Sequence, residues 1–231
     1  DNNTAVGYEA LSTNVNGSGS VAIGFRALKT QNYGSATDSL NVAIGNNAGT
    51  SITTGVRNTI VGSLSGDALT DADRNIAIGY NAIGTDTQGS RAVGIGYGAL
   101  QTQNFSSATD NYNVGVGYNA GGSITTATLN TLIGSLSGDA LTDGSGNVAV
   151  GYDALTSDTR GKNSIAIGRS ALATQNLTSS NDAYNIGIGR LAGGSITSGI
   201  RNTIVGSLAG DALTDADYNT YIGYNAGGAD D

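Results

Sequence analysis

One glycine sets the rhythm of this chain. It stands at Gly7, Gly24, Gly45, Gly62 and Gly79 and continues in the same pattern to Gly223, thirteen times in all. Ile or Val immediately precedes every copy, and Ala or Ser follows three residues later. The spacings run 17, 21, 17 and 17, and then repeat, which gives a longer period of 72 residues. Units this short cannot bury an apolar face alone, so the expected architecture is a solenoid in which each unit is one coil. Residues 1–231 are read as a single repeat domain of three four-coil blocks plus one extra coil.

The chemistry inside each unit favours strand over helix. The residue before the glycine is β-branched, and so is the residue two before that, as in Val42-Ala43-Ile44 and Thr59-Ile60-Val61. Such pairs at period two fit a pleated, half-buried surface. A helix would instead carry glycine, Asn, Ser and Thr in every unit, each costing up to ~1 kcal/mol. The expected fold is all-β, a parallel β-solenoid of thirteen coils, with Ile44, Val61, Ile78 and Ile95 stacked at roughly 4.8 Å. The glycine suits a positive-φ corner or a close backbone approach. An Asn four residues before it, present in ten coils, suits the turn into the strand. The exceptions are Ser20, Ala92 and Ser164, all in the second coil of a block, which points to a turn variant there.

If the branched residues point inward, the residue between them points outward. That column comprises Ala43, Ile60, Ala77, Gly94, Gly115, Leu132, Ala149, Ala166, Gly187 and Ile204. Small outward residues permit close approach of another chain, so this column is the candidate inter-chain seam. The alternative is a narrow coil wall with no room for larger side chains. On the seam reading, Ile95→Asp unfolds the coil and Ala77→Glu separates chains.

Composition removes several functions. With no His and no Cys, the commonest general base, the commonest metal ligand and any disulfide are absent. The only glutamate is Glu9, and aspartates recur in threes such as Asp67, Asp139 and Asp211, as turn formers do. No catalytic residue, metal site or cofactor is expected. Asp71 and Asp73 suggest calcium, but the middle copy replaces the second aspartate with Ser145. A net charge of -8 without a basic stripe argues against nucleic acid. No apolar run reaches bilayer length, so membrane insertion is not expected. The start at Asp1, without Met, reads as a piece of a longer protein.

Asn41-Val42-Ala43-Ile44-Gly45-Asn46-Asn47-Ala48, with Asn75 to Ala82 and Ser164 to Ala171, resembles the YadA-like head repeats of trimeric autotransporter adhesins. Asn3 to Leu11 is similar to repeats of phage tail-fibre proteins. The resemblance spans all thirteen coils, although these are a few residues longer than the adhesin repeat. It implies a left-handed β-roll, three chains side by side as a homotrimer, and an extracellular, cell-surface or virion location. It further implies a structural or adhesive fibre segment that meets a cell-surface glycan or host receptor.

The four extra residues in each second coil supply candidate ligand loops, because insertions in repeat proteins map to one face. Gln31, Asn32 and Tyr33, then Gln103, Asn104 and Phe105, then Gln175 and Asn176 offer amides for hydroxyls and rings for a pyranose. Leu177 replaces the ring in the third copy. The competing reading packs these loops back onto the coil. Two further readings are a passive spacer and a monomeric solenoid that binds a lattice such as ice.

Overall fold

The strands are short because each serves one side of a coil. A computed structural model describes residues 2–228 and contains thirteen three-residue strands, one per coil, with no helix among the described residues. It is an all-β parallel solenoid of about thirteen turns. The chain divides into two compact units, Asp1–Asn113 and Val114–Asp231.

In the first unit, Thr4–Val6, Val21–Ile23, Val42–Ile44, Thr59–Val61, Ile76–Ile78 and Val93–Ile95 pair in parallel, in chain order. The register sets like on like: Ile44 opposite Val61, Val61 opposite Ile78, Ile78 opposite Ile95. In the second unit, seven strands from Val114–Val116 to Thr220–Ile222 pair in the same way. The extra residues of the second coils add the short pairs Gly17–Ser18 with Thr37–Asp38 and Gly89–Ser90 with Thr109–Asp110. A single bridge, Lys162 to Asp182, takes that place in the third block.

The rhythmic glycine meets both demands read from the sequence. Gly45 has φ +142°, and a Cβ there would lie 2.5 Å from the carbonyl oxygen of Gly62 in the next coil. No L side chain fits such a contact, so substitution must separate the coils.

The strand faces are the reverse of the expected ones. Ala43, Ile60, Ala77, Leu132, Ala149, Ala166 and Ile204 are fully buried inside their own coils, as are Gly94, Gly115 and Gly187. They form the core and are not a seam. The branched flanks point outward, with Ile44 38% and Ile133 41% exposed. The reason is volume. Space inside a 17-residue coil is shared among three positions: the strand centre, the fourth residue after the glycine and the seventh. In the first two coils of a block the fourth residue is aliphatic (Leu28, Ile83, Leu100) and the seventh polar (Gln31, Asp86, Gln103). In the next two, the fourth is glycine (Gly49, Gly66) and the seventh aliphatic (Ile52, Leu69). A Cβ on Gly49 would lie 3.0 Å from Ile60 Cδ1, and one on Gly94 2.8 Å from Ile83 Cγ1. The 72-residue period is therefore a packing period.

Candidate functional site

The polar side chains singled out in the sequence converge inside the coils. The Asn before a strand is buried in eight coils, Asn3 and Asn219 being half-buried at the two ends, and within the stack it braces two coils. Asn58 Nδ2 donates to Ala72 O (2.8 Å) in its own coil, and its Oδ1 accepts the Asn75 amide (2.9 Å) of the next. Asn75 repeats this with Gly89 O and the Ala92 amide, each at 2.8 Å. Such ladders satisfy backbone groups that the narrow coil would otherwise orphan. The Asn thus spans 14 and 17 residues of sequence rather than capping a local turn.

Where Ser20, Ala92 and Ser164 break the ladder, the insertion-coil glutamine replaces it. Gln31 Oε1 accepts from Asn41 Nδ2 (2.9 Å), and its Nε2 reaches Ser20 Oγ (3.2 Å) and Asn14 Oδ1 (3.4 Å). Gln103 Oε1 accepts from Asn113 Nδ2 (2.9 Å) while its Nε2 donates to Asp86 Oδ2 (2.6 Å). Gln175 makes the matching contacts with Asn185 and Asp158. Asp86 and Asp158, fully buried carboxylates, went unnoticed in the sequence. Their place seven residues after the glycine, where Leu or Ile stands in half the coils, was the available signal.

The candidate ligand loops are therefore mostly interior. Gln31, Gln103 and Gln175 are fully buried, and Tyr33 and Phe105 nearly so. Tyr33 donates its hydroxyl to Gly55 O (2.7 Å), and burial pushes its phenol pKa up to about 12. The Phe105 ring takes the same place, so close to Gly89 that a Cβ there would lie 2.7 Å from the ring. Only the three asparagines are exposed. Asn32 Oδ1 accepts the Val15 amide (3.3 Å), and Asn104 and Asn176 accept from Thr87 (3.2 Å) and Thr159 (3.0 Å).

What the surface offers instead is the outer strand face. Val21 and Ile23, Val42 and Ile44, Thr59 and Val61, Ile76 and Ile78, and Val93 and Ile95 form an uninterrupted two-residue-wide ladder in the first unit. Aromatic side chains border it, with Tyr8 stacked on Phe25 (5.6 Å) and Tyr80 on Tyr97 (5.2 Å). The single glutamate, Glu9, is held below its usual pKa by hydrogen bonds from Lys29 (2.7 Å) and then Arg26 (2.8 Å). Asp67 and Asp139 are pushed up by burial. Among the described residues no group of three carboxylates gathers as a metal would need.

No protein-family model, curated protein or solved structure matches this chain.

Proposed function

We propose that the chain is a structural segment of an extracellular fibre, on a cell surface or virion, in which three left-handed coils associate side by side. The observation that carries this reading is the outward Ile/Val ladder. Exposed apolar patches of this continuity mark association surfaces, and within each unit every three-residue strand turns its flanking residues to the outer face. A repeating face also suits an identical partner, whose own repeat has the same rise. The seam belongs on the flanking columns, such as Val42 and Ile44, in place of Ala43.

Of the two roles for such a segment, the passive spacer is favoured over the glycan binder. Five of the eight proposed ligand residues point into the coil, where no sugar can reach them. Deleting residues 34–36, which lie at the loop tip before the strand Thr37–Asp38, leaves binding on a glycan array unchanged under the spacer reading; a lost signal overturns it.

Sedimentation tests the assembly. The unaltered chain sediments as a trimer. Ile44→Asp shifts it toward monomer with its β circular dichroism retained, because the charge replaces an outward side chain. Ala77→Glu instead unfolds its coil, since it buries an unpaired charge. A trimer that survives Ile44→Asp removes the assembly from this face.

A further inference from the structure

We infer that the second insertion coil holds one buried water molecule, bound between Gln103 Nε2 and Asn111 Nδ2 beside Ala92. The three insertion coils share a fully buried glutamine, and each coil must find acceptors for the two protons of its side-chain amide. The coils differ at two nearby positions. One is the strand entry, occupied by Ser20, Ala92 and Ser164; the other is the residue two before the Asn of the following coil, occupied by Ser39, Asn111 and Ala183. In the first block Ser20 Oγ lies 3.2 Å from Gln31 Nε2 and 2.8 Å from Ser39 Oγ. In the third, Ser164 Oγ accepts from Gln175 Nε2 (3.1 Å), and Ala183 needs no partner. Both coils thus set a neutral oxygen beside the glutamine amide.

The second block has the donors without that oxygen. Ala92 carries no hydroxyl. Gln103 Nε2 donates to Asp86 Oδ2 (2.6 Å), and its other proton has no acceptor among the described residues. Asn111 Nδ2 has no partner among them either. Turning the Asn111 amide over does not help. Its Oδ1 accepts the backbone N–H of Asn113 (2.9 Å), and a nitrogen in that place would set donor against donor. The two amides are neighbours, because Asn113 holds both: its backbone N–H bonds Asn111, and its Nδ2 donates to Gln103 Oε1 (2.9 Å). The first block shows the same adjacency, with Gln31 Nε2 3.4 Å from Ser39 Oγ. Ala92, Gln103 and Asn111 are all fully buried.

The chemistry of the site selects water. Two N–H donors short of a partner require an acceptor, which excludes a cation. The Asp86 carboxylate touches the same glutamine nitrogen and excludes an anion. Complete burial of the surrounding residues leaves no opening for a larger molecule. Waters in protein interiors serve polar groups left in this condition, with about three hydrogen bonds each. Here the water accepts from both amides. Asp86 Oδ2 accepts only from Gln103 among the described residues and has a lone pair for one of the water's protons. What the three insertion coils have in common is therefore an oxygen beside the glutamine, supplied by serine in two of them and by solvent in the other.

A crystal structure of the unaltered chain tests this directly. It is expected to show one ordered water within about 3.2 Å of both Gln103 Nε2 and Asn111 Nδ2. None is expected on Gln175 Nε2, whose two protons go to Asp158 and Ser164. Ala92→Ser is expected to expel the water, its hydroxyl taking over the bonds from Gln103 and Asn111. Amide hydrogen exchange in that coil is then unchanged or slowed by up to about tenfold, since a tethered oxygen avoids the cost of immobilising a free molecule. Absence of an ordered water at this point, or a water that persists in Ala92→Ser, overturns the assignment. Faster exchange in Ala92→Ser overturns it too, because the Asn111 side chain would then already fill the space.

Discussion

The first insertion coil and its two later copies solve one problem with different chemistry. In the first block Asn14 is half-buried; its Oδ1 accepts the Gly17 amide (3.1 Å) and a long contact from Gln31 (3.4 Å). In the second, Asp86 is fully buried and accepts four donors: the amides of Gly89 (3.0 Å), Phe105 (3.2 Å) and Gln88 (3.3 Å), and Gln103 Nε2 (2.6 Å). Asp158 copies this with Gly161, Leu177, Arg160 and Gln175. The charge thus sits at the drier site. A carboxylate has about four lone-pair positions and donates nothing, so a pocket with four converging donors suits it without a counter-charge. Donor count, rather than solvent, decides between Asn and Asp. The glutamine's other neighbours differ in step: a Ser20–Ser39 hydroxyl pair (2.8 Å) in the first block is replaced by Ala92 and Asn111 in the second. The Asn111 Nδ2 finds no partner among the described residues.

The comparison breaks most readily at the carboxylate. Asp86→Ala strands four donors in a dry coil and is expected to destabilise it by about 3–5 kcal/mol. Asn14→Ala strands fewer groups at a wetter position and is expected to cost about 1–2 kcal/mol. Repeat arrays unfold in parts, so amide hydrogen exchange within each altered coil is the suitable measurement. Equal losses of protection would mean that donor count does not govern the site.

Much of this was legible in the sequence, and the part that was not has a definite cause. Rhythm, strand position, block structure and the odd second coil all follow from which residues recur where. Facing does not, because Val42-Ala43-Ile44 is apolar at all three positions and alternation carries no sign. Assigning the larger residues inward is the usual rule, but it fails where coil walls lie too close for stacked isoleucines. Gly94 and Gly187 held the correction: an outward site has no need of glycine, whereas a Cβ on Gly187 would lie 2.8 Å from Leu172 Cγ. The loop glutamines misled for a related reason. Amides beside an aromatic suit a sugar, and they suit an interior hydrogen-bond relay equally well. Only the coincidence of Gln31, Gln103 and Gln175 with the three coils lacking the strand-entry Asn separates the two.

Tyr33 sharpens the contrast at the ring position, which Phe105 and Leu177 occupy in the later blocks. Tyr33→Phe removes the bond to Gly55 O (2.7 Å), yet that carbonyl still accepts from Asn41 Nδ2 (2.8 Å). A loss of about 1 kcal/mol is expected at neutral pH, measured as a shift in the urea midpoint. A larger loss would show that the hydroxyl, and not the ring, anchors the insertion.

The last effect is absent at neutral pH. Burial holds the Tyr33 phenol protonated, with its pKa pushed up to about 12 against about 10 in an unfolded chain. The folded state therefore binds more protons than the unfolded state between these values. Stability from this group is complete below about pH 10 and is lost as pH rises toward 12. Alkaline denaturation should accordingly be steeper for the unaltered chain than for Tyr33→Phe over that interval, with the two curves parallel below it. Parallel curves throughout would mean that the ring is hydrated, and the interior place given to the first insertion would then be lost while those of Phe105 and Leu177 remained.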